Sequence, residues 1–263
     1  MKLDGARVLL TGATGGLGQA IARALAERGA VLILTGRRGD VLEPLAKETG
    51  GRVIVSDLSV PDAPERLLSE AGEVDVLVAN AGIPGSGRLN SFSVEEIDRA
   101  LTVNLRAPML LAHGLTESMV ARGSGHLLFM SSLSGRAASP GTSVYAATKF
   151  GLRGFALALR EDLAPKGVGV SVVLPGFISE AGMFAESGAK LPPLIGTKRP
   201  EDVARAVVKA IEHNRAELEV APIALRAGAT LAALAPGPIG ALQRRLGASD
   251  TSEQLARGQT DKR

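Results

Sequence analysis

Cysteine is absent from all 263 residues, which excludes a disulfide framework and any metal site built on thiolates. Aromatic residues make up 3% of the chain, too few to supply the stacking platforms that single-stranded nucleic acid needs. The net charge of +3 does not restore that function, because the 30 basic residues are interleaved with 27 acidic ones instead of forming a patch. Histidine occurs three times, as His113, His126 and His213 in separate segments, so each reads as a structural residue and no metal site is expected. Around Lys2, Asp4 and Arg7 the apolar run is too short for a signal peptide. Residues 222–246 are rich in Ala and Leu but broken by Pro236-Gly237-Pro238 and followed by Arg244-Arg245, too interrupted to span a bilayer. The expectation is a cytoplasmic protein with no nucleic-acid partner and no stable membrane insertion.

What the chain does contain is an alternation of short apolar runs and amphipathic stretches. Strands are expected at Arg7 to Leu10, Val31 to Thr35, Arg52 to Ser56, Val74 to Ala79, His126 to Met130, Val168 to Leu174 and Glu217 to Ala221. Helices between them, beginning with Leu17 to Arg28, imply an α/β fold: a Rossmann-like, doubly wound parallel sheet of about seven strands with helices on both faces. No compositional break divides the chain, so residues 1–248 read as one domain, with a flexible polar tail over 249–263.

Between the first strand and helix lies Thr11-Gly12-Ala13-Thr14-Gly15-Gly16-Leu17-Gly18. Strand, glycine turn and helix in that order suit a dinucleotide: the turn is sharp, backbone N–H groups can approach a pyrophosphate, and the helix N-terminus faces the anion. Far downstream, Tyr145 is the only tyrosine and Lys149 follows it at i+4, on the same helical face. A phenol titrates near pH 10, and a neighbouring ammonium would lower that value toward neutrality.

The Gly-x-x-x-Gly-x-Gly spacing together with Tyr-x-x-x-Lys resembles the short-chain dehydrogenase/reductase family, single-domain branch, over roughly Ala6 to Ala221. Other landmarks fit the resemblance: Asn80-Ala81-Gly82 after the fourth strand, Asn104 in Leu101-Thr102-Val103-Asn104-Leu105, Ser132 thirteen residues before Tyr145, and Pro175-Gly176 after the sixth strand. The resemblance implies catalytic Asn104, Ser132, Tyr145 and Lys149. It implies a cofactor site from Gly12, Thr14, Gly15, Gly16, Leu17, Gly18, Asp57, Leu58, Asn80, Ala81, Gly82, Pro175, Gly176 and Ile178, to which Tyr145 and Lys149 also belong. Ser131 is the adjacent alternative to Ser132, and side-chain alternation allows only one of them to face the pocket.

At the end of the second strand, Gly36 stands where NAD sites commonly place an acid. Arg37 and Arg38 follow, and a guanidinium can pair with a 2′-phosphate. NADP(H) is therefore expected ahead of NAD(H). Asp40 reads as a helix cap, and Asp57 as an adenine contact by resemblance that also caps the following turn.

By the same resemblance, Tyr145 exchanges a proton with a substrate oxygen, Lys149 lowers the phenol pKa and binds the nicotinamide ribose, Ser132 positions the oxygen, and Asn104 holds a water path to Lys149. Residues 177–198 form a lid whose apolar content favours an apolar or amphipathic carbonyl or alcohol substrate. The family's usual Asp-Gly-Gly turn near the end is missing; 222–246 instead reads as a helical segment on the domain, on a neighbouring subunit, or at a membrane surface. A homodimer or homotetramer through the helices bearing Asn104 and Tyr145 is expected. Two other readings share these motifs: an epimerase or dehydratase on the same scaffold, and a nucleotide sensor or scaffold without turnover.

Overall fold

The computed structural model describes residues 1–189, 191, 195–245 and 248–259. Along them run β1 (Arg7–Thr11), α1 (Gly16–Ala26), β2 (Val31–Gly36), α2 (Gly39–Thr49), β3 (Arg52–Val55), α3 (Ala63–Ala71), β4 (Val76–Ala79), α4 (Val94–Leu101) and α5 (Ala107–Arg122). There follow β5 (Gly125–Met130), α6 (Ser143–Leu163), β6 (Val168–Pro175), α7 (Gly182–Ala185), α8 (Pro200–Glu212), β7 (Glu217–Val220), α9 (Ile223–Leu234), α10 (Pro236–Arg245) and α11 (Ala248–Arg257).

The seven strands form one sheet in the order β3-β2-β1-β4-β5-β6-β7, parallel throughout. This is the Rossmann-like fold that the alternation of elements implies. The chain winds outward from β1 to β3, then returns to place β4 beside β1. That reversal opens a crevice at the carboxyl ends of β1 and β4, where such sheets bind ligands.

Alternation along the strands explains the two cores. Val8, Leu10, Val76, Val78, Leu128 and Val173 join Ile21 and Leu25 of α1 and Val203 and Val207 of α8 on one face. Leu9, Leu77, Leu127, Phe129 and Val172 join Leu67 of α3, Leu111 of α5 and Leu152 of α6 on the other. The central strands, buried on both sides, read as nearly continuous apolar runs, whereas β3 and β7 at the sheet edges are only partly buried. Phe129 is completely buried and meets Phe155 edge-to-face with ring centroids 5.5 Å apart; its burial contributes about 3 kcal/mol. β4 starts two residues later than expected, because Asp75 at its foot turns to take hydrogen bonds from Nε and Nη2 of Arg7, each at 2.8 Å.

Three local expectations are corrected. Asp40 lies in the first turn of α2, whose N-cap is Arg38, and no side chain caps that helix. Around Asn104 the helix is not regular: Thr102–Arg106 form a π-helical turn between α4 and α5, so α4 and α5 do not run on as one α-helical ladder. Residues 249–263 were expected to be a flexible polar tail, yet α11 occupies most of that stretch and Ser252 is buried. Ser252 packs at Gly141, a long-range contact that composition alone does not reveal. Residues 260–263 lie outside the described residues, as does the Pro192-Pro193-Leu194 part of the lid.

Candidate active site

The glycine turn joins β1 to α1 at the crevice. Gly12 has φ +66°, and a Cβ there would come within 2.7 Å of the Ala81 Cα, so glycine meets both a left-handed backbone and a close approach. Gly18 presses α1 onto the carbonyl of Gly12, again without room for a side chain. No side chain caps α1, whose N-cap is Gly15. Its first N–H groups, on Gly16 and Leu17, thus remain for an anion, and the helix dipole favours one. This donor set fits a dinucleotide pyrophosphate.

Asn80 fixes the turn in place. Its Nδ2 donates to the carbonyls of Thr11 (3.1 Å) and Gly12 (3.2 Å), while Thr11 Oγ1 accepts from the N–H of Asn80 and of Ala81. Thr11 is a positioning residue that the sequence reading missed; a threonine at a strand end carries no distinguishing pattern. At the end of β2, a Cβ on Gly36 would sit 2.8 Å from Thr14 Cγ2, so a side chain at position 36 would have to displace Thr14. Arg38 donates to the Thr14 carbonyl at 2.9 Å, whereas Arg37 is exposed. Burial works against ionisation of Asp57, yet hydrogen bonds from the Ser59 N–H and hydroxyl and the charges of Arg37 and Arg99 hold its carboxyl below the usual range. Asp57 thus caps its turn, and Leu58 beside it is buried.

Across the crevice, α6 brings Tyr145 and Lys149 to the ends of β5 and β6. The Ser132 side chain stands beside the Tyr145 phenol, close enough to pull its pKa down, and its hydroxyl donates to the Pro175 carbonyl at 3.4 Å. Ser131 points the other way, donating to the Lys149 carbonyl at 2.9 Å from a buried position. Strand alternation thus selects Ser132 to face the phenol. Lys149 Nζ lies 5.7 Å from the Tyr145 ring centroid and donates to the Met130 carbonyl at 2.9 Å.

The electrostatics differ from the expectation that Lys149 depresses the phenol. Burial pushes Tyr145 up to about 12, against a smaller pull from Ser132, and burial pushes Lys149 down to about 8. With its ammonium held by a backbone carbonyl, the lysine does not offset desolvation of the phenolate.

Asn104 is fully buried, and its amide both accepts from the Ile83 N–H (2.8 Å) and donates to the Ile83 carbonyl (2.9 Å). A Cβ on Gly82 would be 3.3 Å from Asn104 Oδ1 and 3.6 Å from Lys149 Nζ, so all three border one small space. Pro175, Gly176 and Ile178 follow at the end of β6; Gly176 packs on Ala221, and Ile178 is buried in a bridge with Lys198. Ser132, Pro175 and Gly176 thus follow the ends of β5 and β6, with Lys149 held at the Met130 carbonyl beside them. His126, by contrast, sits buried in β5 with its Nε2 2.9 Å from Ser171 Oγ, a structural role.

Comparison with known proteins agrees with this geometry. The short chain dehydrogenase family model matches residues 6–192. A ketoacyl reductase, HetN, of Nostoc sp. is 38% identical over 246 residues, covering 90% of this chain and 86% of that protein. The 3-oxoacyl-[acyl-carrier-protein] reductase FabG of Rickettsia conorii is 33% identical over 216 residues, covering 79% of this chain and 89% of that protein. Among solved structures, a short-chain dehydrogenase from Sphingobium yanoikuyae in complex with NADPH superposes with a TM-score of 0.77 at 26% identity, covering 90% of this chain and 95% of that one. The chain belongs to the short-chain dehydrogenase/reductase family of NAD(P)-dependent oxidoreductases.

Proposed function

We propose that this chain is an NADP(H)-dependent reductase of apolar or amphipathic carbonyl compounds, with ketoacyl groups among them, and that Tyr145 is its proton donor. The observation that carries the reading is the gathering of Tyr145, Lys149 5.7 Å from its ring, and Ser132 at the carboxyl ends of β5 and β6, on the side of the sheet where the glycine turn lies. Gly12 to Gly18 and Asn80 to Gly82 would hold the dinucleotide, with Arg37 on its 2′-phosphate. Bound NADPH supplies the hydride for the carbonyl carbon. Tyr145 then gives its proton to the carbonyl oxygen, and Ser132 orients that oxygen and stabilises its developing charge. Asn104 anchors Ile83 beside Lys149 and shapes the space through which a proton could reach the lysine.

A phenol raised to about 12 is protonated at neutral pH, which suits reduction; oxidation would need the phenolate. Lys149, near 8, is the group that loses its charge first as pH rises. Reduction followed by NADPH consumption is therefore expected to be level from about pH 6 to 8 and to decline above it, about tenfold per unit once the lysine is neutral. A rate that rises steadily through pH 9 would contradict this assignment.

Support for the substrate class comes from Phe177, Ile178, Met183 and Phe184 in the lid, where the two phenylalanine rings lie 5.1 Å apart, and from the printed names of the ketoacyl relatives. The helices around the site also leave Leu89, Val94, Leu101, Met109 and Phe150 exposed. We read this apolar surface on α4 to α6 as the seat of a homodimer or homotetramer; purely monomeric sedimentation at micromolar concentration would refute it. Among the described residues no helix is long and apolar enough to cross a membrane, and a cytoplasmic small-molecule enzyme is the setting we propose.

A further inference from the structure

α9 is apolar on nearly every side. Of its 12 residues, only Arg226 and Thr230 carry polar side chains. Both are turned to the protein: Arg226 Nε donates to the Glu219 carboxylate at 3.0 Å, and Thr230 Oγ1 donates to the Arg226 carbonyl at 3.0 Å. Ala229 and Ala232 are buried on the inner side. On the outer side Ile223 is 81%, Leu231 55% and Leu234 79% exposed, and Ala224, Ala227 and Gly228 are exposed with them. At about 100° per residue, positions 223, 227, 231 and 234 line up and 224 and 228 flank them. A helix that is apolar all round is ordinarily covered all round. This one is covered on one side only.

The charges around this face have one sign. Between Glu219 and Asp250 the chain contains no aspartate or glutamate, although acids number 27 among its 263 residues, and the charged residues in that interval are Arg226, Arg244 and Arg245. Arg244 and Arg245 end α10, which follows α9 directly. Glu219 does not cancel the excess, because its carboxylate is shared between Arg226 and Arg136.

This combination decides what covers the face. A second copy of the chain, meeting it across a two-fold axis, would set the same arginines against themselves with no acid in the segment to pair them. A protein partner ordinarily also takes hydrogen bonds from an interface, and the six outer residues have no side chain that can make one. An anionic bilayer asks for neither. Its acyl boundary receives an apolar helix face, and its headgroups attract the flanking cations.

We propose that α9 is a peripheral docking face for anionic phospholipid bilayers, with Ile223, Leu231 and Leu234 entering the acyl boundary. α9 leaves the sheet at the carboxyl end of β7, and Ala221 just before it lies against Gly176, where an added Cβ would be 2.9 Å from the Ala221 Cβ. The docked membrane therefore meets the protein at the edge of the sheet that carries Ser132 and Pro175. The proposal stands apart from the reductase reading, since vesicle binding is measured without turnover.

The test is co-sedimentation of the full-length protein with vesicles of phosphatidylcholine alone or mixed with phosphatidylglycerol. Binding to the mixed vesicles is expected, weakening as salt screens the arginines, with little binding to phosphatidylcholine alone. Leu231→Glu and Leu234→Glu are each expected to lower vesicle affinity about tenfold or more. Val31→Glu, at an equally exposed apolar position on the amino edge of the sheet, should leave it unchanged. Ala227→Glu repeats the test on the same face if either leucine proves necessary for folding. No binding by the unaltered protein, equal binding to both kinds of vesicle, or undiminished binding by the α9 variants would overturn the proposal. An oligomer that dissociates in Leu234→Glu, with no vesicle binding, would assign the face to a second copy instead.

Discussion

Tyr145→Phe is expected to abolish carbonyl reduction, lowering kcat by about 10³-fold or more, and to leave NADPH binding nearly intact. The ring is retained, and Gly85 meets the Tyr145 backbone and Cβ, which the exchange leaves in place; an added Cβ on Gly85 would be 3.1 Å from the Tyr145 nitrogen. Only the proton is lost. Ser132 cannot take over, because an aliphatic hydroxyl is a far weaker acid than a phenol and its own bonds run to the Ser134 N–H and the Pro175 carbonyl. Single-turnover measurement with NADPH and a ketone checks the result. Retention of a tenth of the rate would remove Tyr145 from proton transfer.

The second large effect concerns cofactor choice. Arg37→Ala is expected to weaken NADPH by about 1.5–3 kcal/mol, or roughly 10- to 150-fold, the range for hydrogen bonds to a charged group. NADH, lacking the 2′-phosphate, should lose little. Three structural facts motivate this. Position 36 lacks the acid that would read a free ribose, and a side chain there would have to displace Thr14. Arg38 is already committed to the Thr14 carbonyl. Arg37 stands close enough to Asp57 to help keep that carboxylate ionised, beside the residue that the family resemblance assigns to the adenine. Parallel titrations with the two cofactors decide the matter, and equal weakening of both would contradict the assignment.

Much of this site was legible because it depends on local pattern. A strand buried on both faces shows as an apolar run, and a turn at φ +66° asks for glycine, so β1, Gly12 and Gly18 announce themselves. The i+4 spacing puts Tyr145 and Lys149 on one face of α6. Spacing could not show that the Met130 carbonyl captures the ammonium, and so the expected depression of the phenol pKa is reversed by burial. The π-helical turn at Thr102–Arg106 was hidden for a similar reason: a change of backbone register has no reliable side-chain signature. α11 escaped notice because Ala248 to Gln259 is mostly polar. Its position rests on a few long-range contacts, from Ser252, Glu253, Gly258 and Gln259, that composition does not reveal.

The most direct test of the whole account is NADPH consumption by the purified protein across carbonyl compounds graded from small and polar to long-chain and apolar. The account predicts turnover that strengthens toward the apolar and ketoacyl end and vanishes in Tyr145→Phe. NADPH binding with no consumption across the panel would contradict it and favour a nucleotide sensor without turnover.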